Sequence, residues 1–378
     1  MNKLVFAAVV LCLLLVPSCK KSAKENNVNP PTQKRAKWVA EYRAPEIEDA
    51  ATDLAFYSYN SISVVSPSVV FVAGTFPDPK NSDGSIGFIA RTTDAGATWT
   101  KSFLQGLTTK ITTLNSIRMV SPTTGWAAGA NDKRTGYLLR TTDAGNTWRA
   151  SKLESKEIPT AIVFQSVNRG WIAGTTHLRG DPDSEGGPSE ILGTNDGGNT
   201  WLVSDHIPVS VEDLAFTDEK NGWAACEPAG IYHTSDGGLS WDRQTTGLET
   251  ALGPGQANSA AIIEIDFSDP AHGWAIWNCT ALNQSLLIGT ADGGKTWAQY
   301  WRAPEGETLR AVYFLNSQEG WLGTQRSQYV YHSIDGGHHW TVEPVNFEEQ
   351  MPLYRIAAAD ADHIWAVGGG AIFRRVAQ

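Results

Sequence analysis

Cysteine is scarce in this chain of 378 residues: four, at positions 12, 19, 226 and 279. So few cysteines exclude a disulfide-stapled scaffold. Charge is also thin, at 19% Asp, Glu, Lys and Arg, and its balance of −10 argues against nucleic acid or acidic lipid as a partner. No segment shows a long apolar period of 3.6 residues, so helices do not build the fold. Phosphate-cradling glycine loops, zinc-ligand clusters and a Ser-His-Asp signature are all missing, and the eight His are scattered. No cofactor and no metal are therefore expected.

What the chain does have is 36 Gly, 15 Trp and repetition. Thr141-Thr142-Asp143-Ala144-Gly145-Asn146-Thr147-Trp148 is written six times, the other copies spanning 92–99, 194–201, 234–241, 290–297 and 333–340. Physically this is a tight hairpin turn. A short Asp side chain accepts hydrogen bonds from backbone N–H groups one or two residues on. The glycine two residues later, as in Gly96 and Gly145, supplies a positive φ. The Trp that opens the next strand buries its ring and pins the turn. Each box holds one carboxylate, whereas calcium loops need several oxygen ligands at close spacing, so Asp94, Asp143, Asp196, Asp236, Asp292 and Asp335 read as structural.

A second signal precedes each box: an apolar strand, a turn, and a Gly-Trp strand. The Gly-Trp copies start at Gly125, Gly170, Gly222, Gly273 and Gly320, with looser ones at 70–74 and 364–368, which makes seven. The positions eight and six before each Gly-Trp glycine are apolar: Ile62/Val64, Ile117/Met119, Ile162/Phe164, Leu214/Phe216, Ile265/Phe267, Val312/Phe314 and Ile356/Ala358. That ladder is expected to fill the contacts between neighbouring sheets. The pattern predicts an all-β fold, a seven-bladed propeller of four-stranded blades. Trp38-Val39-Ala40-Glu41-Tyr42-Arg43-Ala44-Pro45 matches the outer strand Trp297–Pro304, yet no box precedes it, while the last repeat, 353–376, lacks an outer strand. The N-terminal strand therefore completes the last blade, which closes the ring and removes open sheet edges.

Residues 1–18 read as a lipoprotein signal peptide, with Asn2 and Lys3 ahead of the apolar run Leu4–Val16. The junction Val16-Pro17-Ser18-Cys19 resembles a bacterial lipobox, which would make Cys19 a lipidated N-terminus; an ordinary signal peptide is the alternative. Residues 19–37 are polar and read as a flexible tether to a propeller at 38–378. The expected place is the bacterial cell envelope, on the outer membrane or a periplasmic face, held through the lipid anchor only. Cys226 and Cys279 lie in neighbouring blades, either as a disulfide or as two free buried thiols.

The Gly-Trp strands joined to Thr-Thr-Asp-Gly-Gly-type turns resemble the BNR/Asp-box repeat proteins over about residues 38–378, and most of all the photosystem II stability/assembly factor family. The resemblance implies the propeller and a non-catalytic role in binding a protein, peptide or other ligand, as a factor in the assembly or stability of a membrane complex. Asp boxes also occur in sialidases and xyloglucanases, so a glycan-processing enzyme is the alternative. A sialidase would carry Phe/Tyr-Arg-Ile-Pro ahead of the first box; Tyr354-Arg355-Ile356-Ala357 follows the last one and has Ala for Pro. Loops vary in length on the face opposite the boxes, the top, so a binding site is expected there. Its candidates are Arg118, Glu212, Asp213, Glu264, Asp266, Arg310, Tyr354 and Arg355 on or beside inner strands. Guanidinium groups there suit a carboxylate-bearing ligand or peptide, and local pairing with blade carboxylates is the competing role. Two carboxylates facing each other would suit glycoside hydrolysis. A monomer is expected.

Overall fold

A computed structural model describes residues 36–42, 58–78, 81–105, 110–155, 157–175, 188–248, 259–326, 329–346 and 351–377. The leader, Cys19 and the tether up to residue 35 lie outside the described residues, as do stretches 43–57, 176–187, 249–258 and 347–350 of the loops expected to carry a site on the top. The described chain is all strand and turn. Four sheets have four strands, one has five, and an eight-stranded sheet is two blades joined edge to edge, giving seven blades.

Each Gly-Trp strand runs through the middle of its blade, where neighbours cover both faces; Gly125–Asn131 is buried at every residue. The apolar ladder does what the sequence suggested, with a specific geometry. Phe164, Phe216, Phe267 and Phe314 each lie flat against the Gly-Trp indole of the preceding blade, at centroid distances of 3.7, 3.7, 3.7 and 3.6 Å. The box Trp of the same blade then meets the Phe edge-on, as Trp201 meets Phe164 at 82°. Stacking of this kind adds about 0.5–1.5 kcal/mol per pair to the burial of each ring.

The boxes complete the seam. Trp126 Nε1 donates to Gly197 O, Trp171 Nε1 to Gly237 O, and Trp274 Nε1 to Gly336 O, each reaching the next blade's box at 3.0, 2.8 and 2.9 Å. Within a box, Asp143 Oδ1 accepts from the Thr147 backbone N–H at 3.0 Å and Oδ2 from the Thr147 hydroxyl at 2.6 Å. The acceptance is thus from four residues on, not one or two, because two successive left-handed residues stretch the turn. Ala144 (φ 60°) and Gly145 (φ 74°) are that pair. Thr141 is a second node, unforeseen from the sequence: its hydroxyl donates to Asp143 Oδ1 and accepts from the Gly145 N–H. The five other boxes repeat this wiring, with Ser333 and His339 as the partners of Asp335.

Closure is by the N-terminal strand, Ala36–Tyr42, antiparallel to Ile372–Ala377 with Trp38 opposite Arg375. It begins at Ala36, ahead of the boundary set by the Trp38 resemblance. Its other edge pairs in parallel with blade 6, Trp38 against Val345, and Leu104 of blade 1 meets Trp148 of blade 2 in the same register. A buried polar clasp holds the closure. Glu343 accepts from Trp38 Nε1 at 3.0 Å and from Arg375 Nη2 at 2.7 Å, and pairs with His332 Nδ1 at 3.1 Å. His332 Nε2 reaches Glu319 Oε1 at 3.0 Å. Cys226 and Cys279 are free and buried.

Candidate functional site

The inner strands carry the apolar ladder on one set of positions, and the alternate positions, nine and seven before each Gly-Trp glycine, face the bore. In blades 1, 2, 4 and 5 those positions include Ser61, Ser63, Ser116, Asp213, Glu264 and Asp266, with Arg118 and Ala215 as the other two. The three serines and three carboxylates each accept a backbone N–H from the next blade's inner strand. Ser61 takes Ile117 N at 3.1 Å, Ser63 takes Met119 N at 3.0 Å, and Ser116 takes Ile162 N at 3.2 Å. Asp213 Oδ2 takes Ile265 N at 3.3 Å, Glu264 Oε2 takes Val312 N at 3.1 Å, and Asp266 Oδ2 takes Phe314 N at 2.7 Å. The serines did not stand out in the sequence; their alternation with the ladder is the signal that finds them.

The two carboxylates of the upper level are bridged from the far side of the ring. Arg355 Nη1 lies 2.7 Å from Glu264 Oε1, and Nη2 lies 3.4 Å from Asp213 Oδ1. Arg355 belongs to blade 7 and its partners to blades 4 and 5, so the guanidinium crosses the bore. Burial drives Glu264 up to about 8, with Arg355 opposing and Asp213 reinforcing the shift. Burial likewise carries Asp266 up to about 6, against its hydrogen bond from Phe314. These carboxyls hold protons well above the usual carboxylate range.

Arg118 sits at the lower level, two residues before the turn that joins its strand to the Gly-Trp strand. That turn shares a face with the boxes, since Ala144 N donates to Thr123 O at 3.0 Å. Arg118 is therefore nearer the box face than Arg355 and does not belong to the top. Its side chain reaches water yet is enclosed by protein, as befits a bore lining, and burial lowers its pKa while Tyr313 and Asp266 oppose this. Tyr313, absent from the sequence candidates, donates to Ala358 O at 3.4 Å and is pushed up to about 12, chiefly by burial. Glu212 is half-buried just above Asp213 and acts electrostatically on Arg355. Arg310 does not join the cluster, because its Nε is held by Gln325 Oε1. Tyr354 is half-buried beside Arg355. The eight candidates thus resolve into an upper ionic layer, a lower layer and two outliers.

Fold and bore together define an Asp-box propeller with a charged, cross-braced centre. The family described as photosynthesis system II assembly factor YCF48 matches residues 147–258 and 256–375, and the chain belongs to it. A curated relative, the photosystem II assembly lipoprotein Ycf48 of Synechococcus sp. (strain CC9902), is 30% identical over 96 residues. That match spans a quarter of each chain, 25% and 25%. Among solved structures, YCF48 bound to D1 peptide aligns over 92% of this chain and 100% of that one, with TM-score 0.64 and 17% identity. YCF48 from Cyanidioschyzon merolae aligns over 90% and 99%, with TM-score 0.59 and 14% identity. A GH74 xyloglucanase from Xanthomonas campestris aligns over 89% of this chain and 53% of that one, with TM-score 0.57 and 12% identity. At such identities these structures establish the fold alone.

Proposed function

We propose that this chain is a non-catalytic propeller that binds a polypeptide partner and assists the assembly or stability of a membrane complex. Membership of the assembly-factor family carries the reading. The YCF48 structure with a D1 peptide supports a peptide as the class of ligand. The bore supports the absence of catalysis. Of the carboxylates a glycoside hydrolase could use here, Glu212, Asp213, Glu264 and Asp266, the last three each accept a backbone N–H of the next blade, and Asp213 and Glu264 also pair with Arg355. The Val-Pro-Ser-Cys junction and a relative named as a lipoprotein support anchoring through Cys19 in the bacterial envelope.

The test is crosslinking of the full chain in its own membranes, followed by identification of what is captured. A recurrent subunit of one membrane complex is the expected result. Capture of polysaccharide in place of protein, or hydrolysis of a glycan panel, overturns the reading. For the anchor, Cys19→Ala should abolish incorporation of labelled palmitate; a wild-type protein that never takes up the label removes the lipid from the proposal.

A further inference from the structure

One seam differs from the others in a way that suits a ligand. Opposite four of the six Trp rings of the second strands, the third strand presents a side chain that covers the ring: Arg140 over Trp126, His233 on Trp223, His332 on Trp321 and Arg374 over Trp365. Blades 3 and 5 have glycine there, Gly193 opposite Trp171 and Gly289 opposite Trp274. In blade 5 the gap is filled from within. A Cβ on Gly289 would sit 2.5 Å from the ring of Tyr300, which in turn stacks on His338 of the next blade's box at 4.3 Å.

In blade 3 the Trp171 ring is covered by Arg169, which stands two residues ahead of it, and among the described residues no ring lies over Gly193. A Cβ on Gly193 would meet nothing closer than 3.6 Å. The outer strands share one register, Gly289 against Ala298 and Gly193 against Leu202. Where blade 5 has Tyr300 the sequence of blade 3 has a serine, and where the next box has His338 it has Leu239. What remains is a cavity of about 290 Å³ lined by Gly193, Leu202, Val203, Leu239, Arg169 and Gly237 among others. Leu202, Val203 and Leu239 are 65%, 54% and 68% exposed, and such large apolar side chains gathered at one opening mark a contact surface. Arg169 forms a fixed cationic wall, 4.4 Å over the Trp171 ring and bonded to Asn195 Oδ1 and Gly237 O at 2.8 Å each.

We propose that the slot between blades 3 and 4 receives an aromatic side chain of a partner polypeptide, seated as Tyr300 is seated between Gly289 and His338. This rests on the polypeptide-binding reading above. A flat ring fits a gap that a glycine floor and a leucine wall define, and the guanidinium favours a π face. Aromatic anchors in such pockets often dominate binding at an interface.

The test is methyl NMR of the full chain titrated with N-acetyl-tyrosinamide and N-acetyl-leucinamide. The aromatic amide should shift the methyl signals of Leu202, Val203 and Leu239, with the leucine amide at least about tenfold weaker, as expected for a ring-shaped site. Gly193→Arg restores the residue type of blades 1 and 2 and should abolish the shifts; Leu239→Asp, at an exposed position, should do so independently. Equal response to the two amides, or shifts that survive both substitutions, overturns the slot. Crosslinking separates the two readings. A polypeptide captured equally by the wild type and Gly193→Arg overturns the slot and leaves the polypeptide partner standing. Aromatic binding that Gly193→Arg abolishes, with no polypeptide captured by either, supports the slot and overturns the polypeptide partner.

Discussion

Glu343→Gln is the sharpest probe of how the ring is held shut. The side chain is 6% exposed and gathers Trp38 Nε1, the Arg375 guanidinium and His332 Nδ1. Glutamine keeps the volume and removes the charge, leaving Arg375 and His332 facing a neutral group. Breaking one partner of a buried ion pair costs about 3–5 kcal/mol. A second route gives a similar size. The contacts with His332 and Arg375 outweigh burial and hold Glu343 at about 2 against 4.5, and at about 1.4 kcal/mol per unit this corresponds to roughly 3 kcal/mol. Because that pKa is depressed, the contribution is fully present above about pH 4.5 and is lost as the pH falls through 2. His332 runs the other way. Its hydrogen bonds to Glu319 and Glu343 outweigh burial and raise its pKa above 6.5, so its share is full below that value and fades as the pH rises through the raised one. Closure should therefore be tightest between about pH 4.5 and 6.5. Urea unfolding followed by tryptophan fluorescence should show Glu343→Gln weaker by about 3 kcal/mol near pH 5.5 and nearly level with wild type near pH 2. A difference below about 1 kcal/mol at pH 5.5, or one that does not shrink in acid, refutes the reasoning.

A chain begun at Ala36 should melt as the full chain does, whereas one begun at Arg43 loses the closing strand with its buried Trp38 and should melt far lower or aggregate. Matching melting curves would remove the closing strand from the account. Asp143→Ala should cost about 1–3 kcal/mol through the donors it strands, whereas Ala144→Gly, at a φ of 60°, should gain up to about 1 kcal/mol in chemical denaturation. Arg355→Ala leaves Asp213 and Glu264 without their cation and should destabilise by about 3–5 kcal/mol. The loss should be larger at alkaline than at mildly acidic pH, where the two carboxyls take up protons; a loss independent of pH would show that the bridge is not the cause.

The blades, the boxes and the closing strand were legible because their signals are local. An Asp, a Gly and a Trp at fixed spacing define a turn wherever they stand, and Trp38 without a box reads as an orphan outer strand. The turn's internal wiring was less legible: Thr141 is present in equivalent form in every box, yet its double role depends on the left-handed pair at 144 and 145. The bore was legible residue by residue but not as a constellation. Nothing in the sequence states that Arg355 faces Glu264 across the ring and not Arg118, because that depends on the angular positions of blades 2, 5 and 7. The slot at Gly193 was invisible for a related reason. Its meaning appears only beside Gly289, where a tyrosine occupies the equivalent space.

In the closing strand, Ala36 stands directly opposite Ala377. The first and last strand residues of the ring are thus neighbours, and a short linker would join them without disturbing a blade. The chain could then be cut at another seam and still lay down the same seven sheets. Such a circular permutant, opened between two intact blades, would have no strand shared across the break. Its stability against that of the natural order would measure what the interlocked seam adds to a ring whose blades are otherwise alike.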